Sequence, residues 1–71
     1  MNFPDRLIEL RKKYGISKKE LSQAIGVSER MIYYYECGQK SPNMETLIAI
    51  ADYFDVSIDY LVGRSDQPER Q

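Results

Sequence analysis

The stretch that decides the fold is SKKELSQAIGVSERMIYYYECG, residues 17–38. It holds two segments of helical period separated only by Ile25, Gly26, Val27 and Ser28. Ser17 and Glu20 are spaced as a Ser-x-x-Glu capping box, which predicts a helix starting after Ser17 and running to Ile25. Leu21, Ala24 and Ile25 read as its buried edge. Gly26 supplies the positive φ that a tight turn needs. Ser28 is a good N-cap for a second helix, which Gly38 stops near Cys37. A link this short with one glycine forces the two helices to cross steeply. Steep crossing lets one helix lie across a DNA backbone while the next enters the major groove.

Placed at about 100° per residue, Glu29, Tyr33, Cys37, Arg30 and Tyr34 share one arc of the second helix. Ile32 and Tyr35 lie on the other arc and can anchor it in a core. Each outward group has chemistry suited to base edges. Arg30 can bond bidentately to guanine, and Glu29 can accept from a cytosine amine. Tyr33 and Tyr34 can reach phosphates or bases and cover thymine methyls; the alternative is that they pad a small core. A helix cannot bury three adjacent tyrosines against one neighbour, which favours two of them facing out. Lys18 and Lys19 sit at a helix start, where their charge adds to the dipole and free N–H groups, and are expected phosphate contacts. Gln39, Lys40 and Ser41 form a second expected phosphate clamp, or else a plain solvated loop. Glu29 would face the phosphate field, so it is expected to tune specificity rather than strength.

Outward from this stretch, the remaining segments also read as helix. A first helix is predicted from Phe3 to Tyr14, with Pro4 in its first turn, a stripe of Leu7, Leu10 and Tyr14, and Gly15 as its left-handed stop. A fourth helix is predicted from about Asn43 or Met44 to Phe54, with Leu47, Ile50, Ala51 and Phe54 inward. A short fifth runs from Ser57 to about Val62, ended by Gly63. Residues 1–63 are expected to form the domain, and polar residues 64–71 a disordered tail.

Composition narrows the function classes. At 71 residues the chain is sized for one domain, with little room for a catalytic cleft and its supporting shell. It has one cysteine, Cys37, and no histidine, so an internal disulfide and a Cys/His metal cluster are excluded. No apolar run approaches the ~20 residues that span a bilayer, and the N-terminus lacks a signal-peptide layout. Cys37 is expected to be a reduced thiol in a cytoplasmic, bacterial or phage-encoded protein. Net charge is −1, but it is unevenly spread. Residues 1–40 carry eight Lys/Arg against five Asp/Glu, and residues 41–71 carry two against six. A basic lobe joined to an acidic one suggests that one face meets phosphates; ordinary surface scatter would give the same numbers.

The pattern Ile16-Ser-Lys-Lys-Glu-Leu-Ser-x-x-Ile-Gly-Val-Ser-x-x-x-Ile-x-x-Tyr-Glu-x-Gly38 resembles the Cro/C1-type, or Xre-family, helix-turn-helix. The run Pro42-Asn-Met-Glu-Thr-Leu-x-x-Ile-Ala-x-x-Phe-x-Val-Ser-x-x-Tyr-Leu-Val-Gly63 is similar to the same family's fourth and fifth helices. The resemblance covers about residues 3–63. It implies an all-α, compact five-helix, lambda-repressor-like domain with its motif at about 18–37. It also implies a transcriptional regulator, often a repressor and often dimeric, that binds double-stranded operator DNA. By resemblance, Ser28, Glu29, Arg30, Tyr33 and Tyr34 match operator-contacting positions, and Arg11 and Glu36 match a bridging ion pair. Lys18 departs from the family's usual glutamine; lysine can serve the same phosphate as a point charge but cannot reproduce an amide's paired bonds.

The expected partner is an inverted-repeat operator bound by a homodimer. Tyr53, Ile58, Tyr60 and Val62 are candidates for the dimer surface, being more apolar side chains than one short helix can bury. No cofactor, metal, membrane or small-molecule ligand is expected, and no enzymatic activity. The competing function is a protein-interaction module of the same fold, such as an antitoxin or docking subunit.

Overall fold

The computed structural model describes residues 1–69. It is built of five helices: α1 Phe3–Lys13, α2 Lys18–Ile25, α3 Glu29–Cys37, α4 Met44–Phe54 and α5 Ile58–Leu61. Each begins at a side-chain cap. Asn2, Ser17, Ser28, Asn43 and Ser57 accept the N–H groups of Asp5, Glu20, Met31, Thr46 and Tyr60, at 2.8–3.1 Å. At Ser17 the box is complete, because Glu20 accepts the Ser17 N–H in return. Such a cap satisfies a donor that the helix itself leaves unpaired.

The core is one cluster: Leu7 and Leu10 of α1, Leu21 of α2, Ile32 and Tyr35 of α3, Ile50, Ala51 and Phe54 of α4, Val56, and Leu61 of α5. α3 lies between α1 and α2, and Phe3 meets Tyr35 edge-on at 6.1 Å. Every helix contributes at least one residue, so none can be removed without opening the cluster.

Two expectations about burial are corrected, and one buried residue was not anticipated. Ala24 is exposed, and Ser22 takes its place inside. At about 100° per residue positions 22 and 24 flank the inward line of Leu21 and Ile25 on opposite sides, and α2 packs with the Ser22 side turned inward. Ser22 is tolerated there because its hydroxyl donates to the Lys19 carbonyl at 2.7 Å. Tyr14 is 54% exposed, because α1 stops at Lys13 and Tyr14 has already left helical geometry; its ring stacks on Phe54 at 5.8 Å. Arg6, unmarked by the sequence, is buried at 5% exposure.

Residues 64–69, expected to be part of a disordered tail, fold back onto α5 and α1. The N–H groups of Arg64 and Ser65 donate to the Asp59 carbonyl, at 2.8 and 3.2 Å, and Ser57 N–H donates to the Pro68 carbonyl at 3.0 Å. Backbone pairing orders this stretch without apolar burial, which is why hydropathy gave no sign of it. Residues 70 and 71 of that expectation lie outside the described residues. Gly63 adopts φ 85° and meets the backbone of Met1, leaving no room for a Cβ. Among the described residues no helix is long and apolar enough to cross a membrane.

Candidate nucleic-acid interface

α2 and α3 are joined by Gly26, Val27 and Ser28. Gly26 has φ 77°, and a Cβ there would meet nothing within 4 Å. Its role is therefore conformational: the left-handed backbone disfavours L side chains although space is free. Val27 N–H donates back to the Ser22 carbonyl at 3.1 Å, which closes the turn.

α3 is pinned from behind. Ile32 is fully buried and Tyr35 nearly so. The Arg11 guanidinium forks onto Glu36, Nε to Oε2 at 2.7 Å and Nη2 to Oε1 at 3.2 Å. Its third arm, Nη1, donates to the Ile16 carbonyl at 3.1 Å. Hydrogen bonding with Glu36 raises the Arg11 pKa above its ordinary value, against the opposing effect of burial. One side chain thus ties α1, the α1–α2 loop and the end of α3 together. Bidentate geometry fixes orientation as well as distance.

With its back fixed, α3 leaves Ser28, Glu29 and Arg30 exposed and Tyr33 51% exposed on one side. The Ser28 hydroxyl already accepts from Met31 N–H and has its own proton left to donate. Among the described residues Arg11 and Arg6 carry the salt bridges, to Glu36 and Glu9. Arg30 and Glu29 form no ion pair with each other. The Tyr33 phenol is held above its ordinary pKa, first by the neighbouring Cys37 side chain one turn on, and further by partial desolvation and by Tyr34. Like any phenol it is neutral at neutral pH and can donate or accept a hydrogen bond. Tyr34 is only half-exposed; its ring lies against Tyr33 at 5.9 Å, with the Lys40 ammonium 5.2 Å from its centroid.

The other expected contact residues lie before and after α3 in the chain. Lys18 is half-buried and Lys19 exposed at the start of α2; Gln39, Lys40 and Ser41 are all exposed just beyond α3. Cys37 is an exposed free thiol. Among the described residues no group of His, Cys, Asp or Glu is arranged to hold a metal ion.

The four apolar candidates on the far side do not form one patch. Tyr60 is committed internally: the Arg6 guanidinium carbon lies 3.7 Å from its ring centroid, and its hydroxyl donates to Glu9 at 3.5 Å. Tyr53, 42% exposed, lines a groove with Tyr14, Ile16 and Phe54. Ile58 lines a different groove with Ile48, which is 42% exposed. Val62 is half-exposed at the end of α5. Sequence reasoning missed Ile48 because it falls between the inward stripe of α4 and its polar side.

Comparison with known proteins agrees with this geometry. A helix-turn-helix family model matches residues 7–61. The transcriptional regulator AnsR of Bacillus subtilis is 38% identical, over 92% of this chain and 56% of its own length. The cryptic phage CTXphi transcriptional repressor RstR of Vibrio cholerae is 37% identical, over all of this chain and 63% of its own. The chain thus spans little more than half the length of these curated relatives. The solved P22 c2 repressor protein, in complex with a synthetic operator, superposes with TM-score 0.86 at 31% identity, covering 92% of this chain and 98% of that one. With the family model matching most of its length and relatives of this identity, the chain belongs to the helix-turn-helix family.

Proposed function

We propose that this chain is the operator-reading domain of a cytoplasmic transcriptional repressor. α3 enters the major groove, where Ser28, Glu29, Arg30 and Tyr33 meet base edges. Lys18, Lys19, Gln39, Lys40 and Ser41 contact the phosphates on either side. The observation that carries the reading is Arg30: a guanidinium exposed on a helix fixed from behind, with no carboxylate partner among the described residues. The operator complex of the P22 relative and the repressor function of RstR support it.

Two copies bind an inverted repeat, with half-sites about one helical turn, roughly 34 Å, apart. Of the dimer candidates, Ile58 with its neighbour Ile48 offers the better second-copy surface, with Val62 beside it; Tyr60 is already engaged and Tyr53 faces another groove.

The test is selection from a random-sequence duplex pool, followed by binding measurements at several salt concentrations. Contact with about four to six phosphates per subunit makes log affinity fall steeply with log salt, by roughly 0.9 per phosphate. Arg30→Ala should lose about 1–3 kcal/mol on the selected site and relax choice at one base pair. Lys18→Ala should weaken all sequences alike. A flat salt response, or an unaffected Arg30→Ala, overturns the assignment and favours a docking module built on the acidic half.

A further inference from the structure

The turn after α3 holds an arrangement that groove reading alone does not require. The Tyr34 main-chain carbonyl accepts from three successive N–H groups: Gly38, Gln39 at 3.0 Å and Lys40 at 3.4 Å. This curls the chain back over the last turn of α3. The Lys40 ammonium then lies over the Tyr34 ring, 5.2 Å from its centroid, within the range of a cation–π attraction. Tyr34 therefore holds Lys40 twice, by its backbone and by its side chain.

Its neighbour behaves differently. Tyr33 is 51% exposed. Tyr34 is half-buried, its ring in contact with both Tyr33 at 5.9 Å and the ammonium of Lys40 at 5.2 Å. A carboxylate partner would orient a lysine too, but it would cancel the charge that a phosphate needs. An aromatic face has no net charge, so it narrows the side chain's freedom and leaves the cation available.

We infer that Tyr34 is a positioning residue that holds Lys40 ready for a DNA phosphate, coupling the groove-reading helix to the phosphate-contacting turn, and that it does not read bases. This rests on the DNA-binding reading above and gives Tyr34 a different role from the base contact expected from the sequence.

The experiment uses the full chain, a site selected from random DNA and a random-sequence duplex, each titrated over a range of potassium chloride. The variants are Tyr34→Phe, Tyr34→Leu, Lys40→Gln and the double Tyr34→Leu/Lys40→Gln, with thermal melts to establish that each folds. Tyr34→Phe keeps the aromatic face and should match the parent. Tyr34→Leu should weaken both duplexes by the same factor, about two- to fivefold, and flatten the salt slope toward that of Lys40→Gln, which loses about 0.9. The double variant should be no weaker than Lys40→Gln alone. A change in base preference with Tyr34→Leu, losses that add in the double variant, or a leucine variant equal to the parent overturns the inference while leaving the DNA-binding reading intact. A parent chain without salt-dependent binding to either duplex overturns that reading itself.

Discussion

Two arginines on α1 look into two different halves of the molecule. Arg11 faces the helix-turn-helix and Arg6 faces α5 and the residues after it. Both are largely buried, but they are satisfied differently. Arg11 spends Nε and both Nη groups on Glu36 and the Ile16 carbonyl. Arg6 stacks on Tyr60 and donates to Glu9 at 3.1 Å and weakly to the Ser65 carbonyl at 3.4 Å, and its Nε has no hydrogen-bond partner. The partner carboxylates differ as well: Glu36 has only 7% of its side chain exposed and Glu9 has 43%. The helix-turn-helix half is thus fixed by a closed polar network. The other half is held by a stacked ring and an open one. A recognition surface needs fixed geometry, because small displacements at a base edge cost a hydrogen bond.

The same substitution at both positions breaks the comparison most directly. Arg11→Met leaves Glu36 buried without its partner, and breaking a buried pair by removing one member costs about 3–5 kcal/mol. With 16% of the Arg11 side chain exposed, the lower end applies. A loss of about 3 kcal/mol is a large share of the roughly 4–10 kcal/mol available to a chain this size. Thermal or denaturant unfolding should show it, and DNA binding should fall with it. Replacing both Arg11 and Glu36 with apolar residues should recover much of the stability, since no carboxylate is then stranded.

Arg6→Met should be milder. Glu9 can turn to water, the unpaired Nε is removed along with its desolvation cost, and methionine can still pack against the Tyr60 ring. What is lost is the cation–π stacking, about 1 kcal/mol, with the Ser65 contact. If Arg6→Met were as damaging as Arg11→Met, the contrast drawn between the two halves would be wrong. An Arg6→Ala variant that is worse than Arg6→Met would separate lost packing from lost charge.

This contrast also explains what could be read from the chain alone. Caps, glycine turns and stripes are local devices, so Ser17 with Glu20, Gly26, Ser28 and Gly38 announced the helices and the turn between them. The inward anchors Ile32 and Tyr35 followed from helical period. The exposure of Glu29, Arg30 and Tyr33 then followed from those anchors. The contacts that were not legible depend on residues distant in sequence or on backbone pairing. Nothing in Arg6 marks it for burial until Tyr60 and Ser65 arrive from the other end of the chain. The return of residues 64–69 rests on main-chain hydrogen bonds to Asp59 and Ser57, which no side-chain pattern encodes. Tyr34 looked like Tyr33 until the turn brought Lys40 over its ring.

The smallest expected effects compare two caps with the same chemistry. Ser17 caps an eight-residue helix in a reciprocal box with Glu20, and Ser57 caps a four-residue helix alone. Ser17→Ala should cost about 1 kcal/mol of global stability. It should leave base preference unchanged, since α3 keeps its own cap at Ser28. Ser57→Ala removes a bond of the same length, 3.0 Å in each case, but α5 is one turn long and its backbone is partly held by the segment that follows. If the far half opens locally before the whole domain unfolds, its loss appears as faster amide exchange at Tyr60, Arg64 and Ser65 with a smaller shift in melting temperature. Equal melting shifts for the two variants, with no local change in exchange, would mean that both halves unfold as one unit and that the looser polar network around Arg6 has no consequence for dynamics.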